Sequence, residues 1–415
     1  MRHHRASSLG VRCCFTATLA GSGLAQVVHT VGPGGFPQIQ NAIAAANPGD
    51  IVVVQAGSYL AFTLNKDLTV TAAPAATVDI VASNPLQSSV TLLQPPTMAK
   101  VAGLRFLTLP LFGASQVRVL GGTVHCADCV FEGAPTTMNA PPALVVQNAE
   151  VALQRCIVLG GGAQTTIAGG SGAGCDGMTV DTATVAAVDS VFLGGNIHWD
   201  FLGHGGHAIV AQAADLHLAN CIAIGGGNDP LIPYHAPGNG LRIASTSRVW
   251  VADCLIRGGN GRTVAGGAAL HNLGATAVVE ARSQFLGGPG SPVGPSVIGP
   301  LVTGPLLGLL GATPAIPLGA GWTVGYLAAP GTPVLVIASD RLATSLTPLL
   351  AEPAWMPATA MLVAGAGVTD PTGALPFTFA VPPNPALLHA PCFVQGIAGS
   401  TLPLRAAPPV GGVVR

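Results

Sequence analysis

Six segments in the middle of the chain repeat one pattern of apolar and polar positions: VHCADCVFEG (124–133), ALQRCIVLGG (152–161), AAVDSVFLGG (186–195), HLANCIAIGG (217–226), WVADCLIRGG (250–259) and EARSQFLGG (280–288). Anchored on Cys129, Cys156, Ser190, Cys221, Cys254 and Ser283, they are spaced 27, 34, 31, 33 and 29 residues apart. Two residues after the anchors stand Phe131, Val158, Phe192, Ala223, Ile256 and Phe285, and neither column carries a charge. The column three after the anchor admits Glu132 and Arg257, so it tolerates water. Alternation of period two with one dry face predicts a strand in each segment. A second apolar run precedes each of the last five anchors: ALVVQ, GMTVD, AIVAQ, GLRIA and AALHN. Short strands, Gly-rich corners and a period near 31 predict a parallel β-solenoid in which each coil covers the next. A β-propeller would need blades of about 40–45 residues.

Composition narrows the class further. Only 8% of the 415 residues are charged and 49% are hydrophobic, which excludes a disordered chain. The 56 glycines and 35 prolines disfavour long helices and demand frequent turns. A formal net charge of −1 leaves no electrostatic footprint for nucleic acid or an anionic membrane. Residues 1–25 have the layout of an export signal: MRHHR as a positive start, CCFTATLAG as an apolar core, and GLA as a small-residue cleavage site before Gln26. The segment between Arg282 and Asp340 carries no charge, but Pro289, Pro292, Pro295, Pro300, Pro305, Pro314 and Pro317 forbid a continuous membrane helix. It is read as a linker and strands.

The stretch PQIQNAIAAANPGDIVVVQAGSY (37–59), followed by NKDLTVTAAP, resembles the start of right-handed parallel β-helix proteins of the pectate-lyase-like superfamily. The resemblance implies a short helix capping the first coil, with a Pro-Gly-Asp turn leading into the first strand. Ile39, Ala42, Ile43 and Ala46 form an apolar helical stripe suited to covering a hydrophobic end. The Gly-Gly after each anchor, with its variable loop, resembles a group of secreted bacterial β-helix proteins of unassigned activity. Residues from about 296 to 415, with GWTVGYLAAPGTPVLVIAS, GALPFTFAVPPNPALLHAPCFVQGI and LPLRAAPPV, resemble the small β-rich C-terminal domain of such exported proteins. The fold class expected is therefore all-β: a right-handed parallel β-helix (26–290, with its N-terminal capping helix) after a signal peptide (1–25). A linker (291–310) and a small β-sandwich-like domain (311–415) follow. The expected location is extracellular or at the cell surface.

Seven cysteines follow the signal: Cys126, Cys129, Cys156, Cys175, Cys221, Cys254 and Cys392. Cys126-Ala-Asp-Cys129 has the spacing of half a zinc site, but both cysteines fall in inward columns and no matching pair exists. They are read as small core hydrophobes and, since parallel stacked side chains fit disulfide torsions poorly, mostly as free thiols.

Chemistry is expected where the loops after each Gly-Gly stack on one edge: 163–176, 196–207, 227–239 and 260–267. Counting back from the anchors puts Asp176, His207 and Asn239 in one corner column, with Asp176 and His207 about 5 Å apart at the backbone. A carboxylate so placed would favour the imidazolium and orient the ring. Three readings stay open. His198, His204 and His207 with Asp200 or Asp176 offer only the spacing of a weak metal motif, so neither metal nor cofactor is expected. Trp199, Tyr234 and His235 could serve as flat platforms for a glycan, with Asp200, Asn228, Asp229 and Asn239 bonding its hydroxyls. Or these side chains simply pack the edge. An enzyme of the resembled superfamily would need clustered acids or a basic residue beside them. Asp176, Asp181, Asp200 and Asp229 are never adjacent, Lys66 and Lys100 lie near the first coils, and Arg242 and Arg262 lie in later coils. The favoured expectation is an exported, non-catalytic protein binding carbohydrate at this edge. A polysaccharide lyase, hydrolase or epimerase, and a purely structural surface protein, are the alternatives.

Overall fold

The computed structural model describes residues 26–81, 89–107, 115–133, 141–162, 174–196, 204–227, 236–244, 246–262, 264–274, 277–303, 308–312, 315–340, 349–350, 354–356, 361–383, 391–402, 404–407 and 409–414. The chain divides into a compact unit over Leu24–Leu306 and a second over Leu307–Arg415; the signal-like residues 1–25 lie outside the described residues.

Three parallel sheets wall the first unit. Sheet A has eleven strands, from Val28–Val31 to Val302–Thr303; sheet B has nine, from Gly57–Leu60 to Gln284–Leu286; sheet C has nine, from Thr63–Leu64 to Val297–Ile298. The chain visits A, then B, then C before the next coil, so the expected parallel β-helix is present. Each anchor segment, expected as one strand, is two. Thr123–Ala127 lies in sheet A and Val130–Glu132 in sheet B, and the break recurs in later coils. Its cause is a single left-handed residue before the anchor: Asp128, Arg155, Asp189, Asn220, Asp253 and Arg282 have φ between 48° and 53°. That corner shifts the inward phase by one residue. Cys126 and Cys129 can therefore both face the core at a spacing of three, each fully buried.

The corner also stacks its side chains. Arg155 donates from Nε and Nη2 to the two oxygens of Asp128, 2.8 Å each; Asn220 Nδ2 donates to Asp189 Oδ1 at 2.6 Å; Arg282 pairs with Asp253. Asp and Asn tolerate the left-handed conformation better than most residues. Charge alternation keeps stacked carboxylates from facing one another across a strand spacing of about 4.8 Å.

Inside, Phe106 stacks on Phe131 with ring centroids 5.2 Å apart, and the anchor cysteines are buried in the same core. All seven cysteines beyond residue 25 are free thiols; those of Cys129, Cys156, Cys221 and Cys254 donate to backbone carbonyls, as Cys129 does to Ala127 O at 3.3 Å. The helix Ile39–Ala45 buries Ile39, Ala42 and Ile43, with Ala46 just beyond it, as its stripe requires. Lys66 closes its C-terminal end, its Nζ donating to the carbonyls of Ile43, Ala44 and Ala46 at 2.7–2.9 Å. The segment expected as linker instead supplies two more strands, Val297–Ile298 in sheet C and Val302–Thr303 in sheet A, because its Val and Ile residues keep the coil register.

The second unit contains a three-stranded antiparallel sheet and a larger, mostly antiparallel one. They face each other where glycines leave room for rings: a Cβ on Gly396 would meet the Tyr326 ring at 2.6 Å, and one on Gly365 would meet Phe377 at 2.9 Å. Trp322, Tyr326, Val336 and Val394 form its core.

Candidate functional site

The loops that carry the candidate residues leave the solenoid between sheets B and C, and their bases are pinched shut by backbone. From Ile157–Leu159 onward, the Gly-Gly after each sheet B strand interleaves with the residue that leads into the next sheet C strand, Cys175 first and glycine in the coils that follow. Hydrogen bonds zigzag between the two arms: Cys175 N–H to Gly161 O, Gly195 to Cys175, Gly206 to Gly195, Gly226 to Gly206, and Gly238 to Gly226, all 2.8–3.0 Å. At its glycines, backbone packed this closely leaves no place for a Cβ. A Cβ on Gly195 would lie 2.0 Å from Gly161 O, and one on Gly206 would lie 1.9 Å from Cys175 O. This clasp explains the repeated glycines more fully than turn formation does. The segments 163–173, 197–203 and 228–235 beyond it are outside the described residues, and with them His198, Trp199, Asp200, Asn228, Asp229, Tyr234 and His235.

Directly after the clasp, the structure brings Asp176, His207 and Asn239 into one column. Each side chain accepts a backbone N–H from the next coil. His207 N–H donates to Asp176 Oδ1 at 2.7 Å, Asn239 N–H to His207 Nδ1 at 2.9 Å, and Ala268 N–H to Asn239 Oδ1 at 2.9 Å. Here the expectation about His207 is corrected. The Asp176 carboxylate meets its backbone amide and not its ring, so it does not stabilise an imidazolium. Because a backbone N–H can only donate, Nδ1 carries the lone pair and the proton resides on Nε2. Burial, together with the positive charge of Arg242 and the neighbouring His204 and His271, pushes the His207 pKa down to about 3. Burial also raises the Asp176 carboxyl above its ordinary value, against the opposing pull of the His207 amide and the charges of His204 and Arg242.

Two residues beside this column were not singled out as candidates. Strands Met178–Asp181, Ile209–Gln212, Leu241–Ile243 and Leu270–Asn272 pair in register, placing Thr179, Val210, Arg242 and His271 in one outward column of sheet C. Aligning GMTVD, AIVAQ, GLRIA and AALHN on their buried residues would have found them. Arg242 is exposed, His271 half-buried, and Asn239 Nδ2 stands 3.5 Å from His271 Nδ1. Arg242, judged from sequence to lack an acidic neighbour, acts electrostatically on Asp176. His204 is exposed, and its ring lies nearly parallel to that of His207, centroids 6.1 Å apart. The result is an edge presenting a guanidinium, imidazole faces, an Nε2–H donor and a half-buried carboxylate on neighbouring coils. Among the described residues, no group of three or more His, Cys, Asp or Glu side chains converges as a metal site would.

No known protein family and no curated protein matches the chain. Among solved structures it is similar to pectate lyase Pel9A, with 14% identity and a TM-score of 0.39 over 68% of this chain and 80% of that one. It is also similar to tailspike protein 2 from Escherichia coli O157:H7 bacteriophage CAB120, at 8% identity and a TM-score of 0.35 over 87% and 62%. Polygalacturonase from Erwinia carotovora ssp. carotovora follows at 12% identity and a TM-score of 0.25 over 59% and 73%. These are likenesses of the parallel β-helix fold.

Proposed function

We propose that the protein is exported and binds carbohydrate, without turning it over, along the sheet C edge formed by Asp176, His204, His207, Asn239, Arg242 and His271. One observation carries the choice of binding over catalysis: His207 is held neutral, with Nδ1 taken by the Asn239 amide. A general base works best with a pKa near the operating pH, and a ring near pKa 3 with its lone pair engaged is far from that. Asp176 is likewise engaged through Oδ1. What remains is a fixed set of donors, acceptors and flat faces, the chemistry that matches a hydroxyl-rich ligand. The adjoining loops would add Trp199, Asp200, Asn228, Asp229, Tyr234 and His235.

The test is affinity electrophoresis in gels containing neutral or acidic polysaccharides, paired with analysis for released oligosaccharides. At least one polysaccharide should retard the wild type, Arg242→Ala and Trp199→Ala should each relieve the retardation, and no products should form. Released products lost in Asp176→Asn would establish the enzymatic alternative. No retardation and no products across the panel would leave the structural role.

A further inference from the structure

Over the six coils from Cys129 to Ser283, the anchor directly after the left-handed corner is always cysteine or serine. Five of these side chains turn back to donate to the carbonyl two residues before them. Cys129 Sγ reaches Ala127 O at 3.3 Å, Cys156 Sγ reaches Gln154 O at 3.5 Å, and Ser190 Oγ reaches Val188 O at 2.9 Å. Cys221 Sγ reaches Ala219 O at 3.2 Å and Cys254 Sγ reaches Ala252 O at 3.1 Å. Three anchors also accept the backbone N–H of the anchor one coil earlier: Ser190 Oγ from Cys156 at 3.1 Å, Cys254 Sγ from Cys221 at 3.2 Å, and Ser283 Oγ from Cys254 at 3.1 Å. A dry position that must both donate and accept from the first atom beyond Cβ fits a hydroxyl or a thiol.

A disulfide is incompatible with this ladder. Bridging takes the hydrogen off both sulfurs, so two buried corner carbonyls lose their donors. Neighbouring anchors stack side by side on parallel strands, which meet the disulfide torsion poorly. More distant thiols are out of reach: Ser190 separates Cys156 from Cys221, leaving them two strand spacings, about 10 Å, apart. A disulfide spans less than about 7 Å between Cα atoms. The unfolded chain has none of these restrictions. Once the coils close, the thiols are shut away from an oxidant, because Cys126, Cys129, Cys156, Cys175, Cys221 and Cys254 are all buried and unbridged. Burial pushes the thiols of Cys126, Cys129 and Cys221 well up and that of Cys175 to about 12, and the thiolate is the species that reacts. We propose that the anchor column makes folding redox-gated: the solenoid closes only from the reduced chain, and once closed it holds its six thiols reduced against a small disulfide oxidant. In the unfolded chain a protein thiolate attacks oxidised glutathione and one glutathione leaves as its thiol. A second protein thiol then displaces the other, so two protein thiols are oxidised and one glutathione disulfide is reduced.

Cell-free synthesis of the full chain, in dithiothreitol or in oxidised glutathione, tests this with limited proteolysis as the readout. Synthesis under reductant should give a protease-resistant solenoid. Synthesis under oxidised glutathione should give a degradable chain whose cysteines map as disulfides. Oxidised glutathione added to the folded protein should change neither its resistance nor its six solenoid thiols, which alkylation should reach only in urea. A variant carrying Cys129→Ser, Cys156→Ser, Cys221→Ser and Cys254→Ser should fold with the wild-type circular dichroism spectrum, since Ser190 and Ser283 already serve in the column. Equal yields of resistant protein in the two synthesis buffers overturn the gate, as does a folded protein that loses its resistance when the oxidant is added. A serine variant that fails to fold overturns the hydrogen-bond role assigned to the thiols, and the wild-type comparison still decides the gate.

Discussion

Lowering the pH should destabilise this protein through His207, and the size of the effect follows from the corner column. The folded state refuses a proton that the unfolded chain accepts at the ordinary histidine pKa of 6.5, because the folded value lies near 3. Stability is therefore fully present above pH 6.5 and falls as pH drops, until near pH 3 the folded state takes the proton too. At about 1.4 kcal/mol per pH unit, His207 alone removes about 2 kcal/mol between pH 6.5 and pH 5. Asp176 works in the opposite sense. Its raised carboxyl makes the folded state hold a proton longer than the unfolded chain as pH rises from 3.8, so it lowers stability with rising pH in that window. His217, buried and also pushed down to about 3, adds a slope of its own. Comparing variants at each pH isolates His207. In His207→Asn, an amide oxygen can accept the Asn239 N–H just as Asn239 Oδ1 accepts that of Ala268, but it cannot titrate. Urea unfolding followed by circular dichroism should show the two proteins within about 1 kcal/mol of each other at pH 7. At pH 5 the variant should be ahead by about 2 kcal/mol. Parallel stability curves for wild type and His207→Asn would refute the neutral-acceptor account of the ring.

Two further outcomes are expected. Gly206→Ala places a methyl group 1.9 Å from Cys175 O, so it should cost about 3 kcal/mol or more in urea unfolding. The same substitution at exposed Gly34, whose Cβ position is open but whose φ is +79°, should cost only the backbone strain, about 1 kcal/mol. If the export reading holds, the mature protein recovered outside an expressing bacterium should begin at Gln26, read by N-terminal sequencing or intact mass. Gln26 and Val27 already bond into the fold, Gln26 Nε2 to Gly49 O at 2.8 Å and Val27 N–H to Asp50 Oδ1 at 3.0 Å. A secreted product still carrying residues 1–25 would remove the signal-peptide assignment.

Much of this molecule is legible in its sequence because a solenoid writes its architecture as repetition. The anchor columns, the inward partners two residues on, the capping stripe of Ile39, Ala42 and Ile43, and the shared column of Asp176, His207 and Asn239 all follow from counting. Side-chain direction in a strand is a local property of period two, and coil stacking then carries equivalent positions into contact. The corner between sheets A and B was also present in the sequence, as the three-residue step from Cys126 to Cys129, but its meaning requires the left-handed Asp128.

Only the tertiary structure decided which atoms those neighbours share. The sequence places Asp176 beside His207; the fold gives the carboxylate to the amide of His207 rather than to its ring, which leaves the imidazole neutral instead of charged. The repeated Gly-Gly suggests turns, whereas the structure shows two backbones packed within a Cβ's reach of each other. Aligned repeats put Arg242 and His271 in one outward column, but only the register of sheet C sets that column beside Asp176, His207 and Asn239. Hydrogen-bond direction, desolvation and close backbone approach depend on where the next coil's main chain lies, about 30 residues away. No local pattern encodes that position.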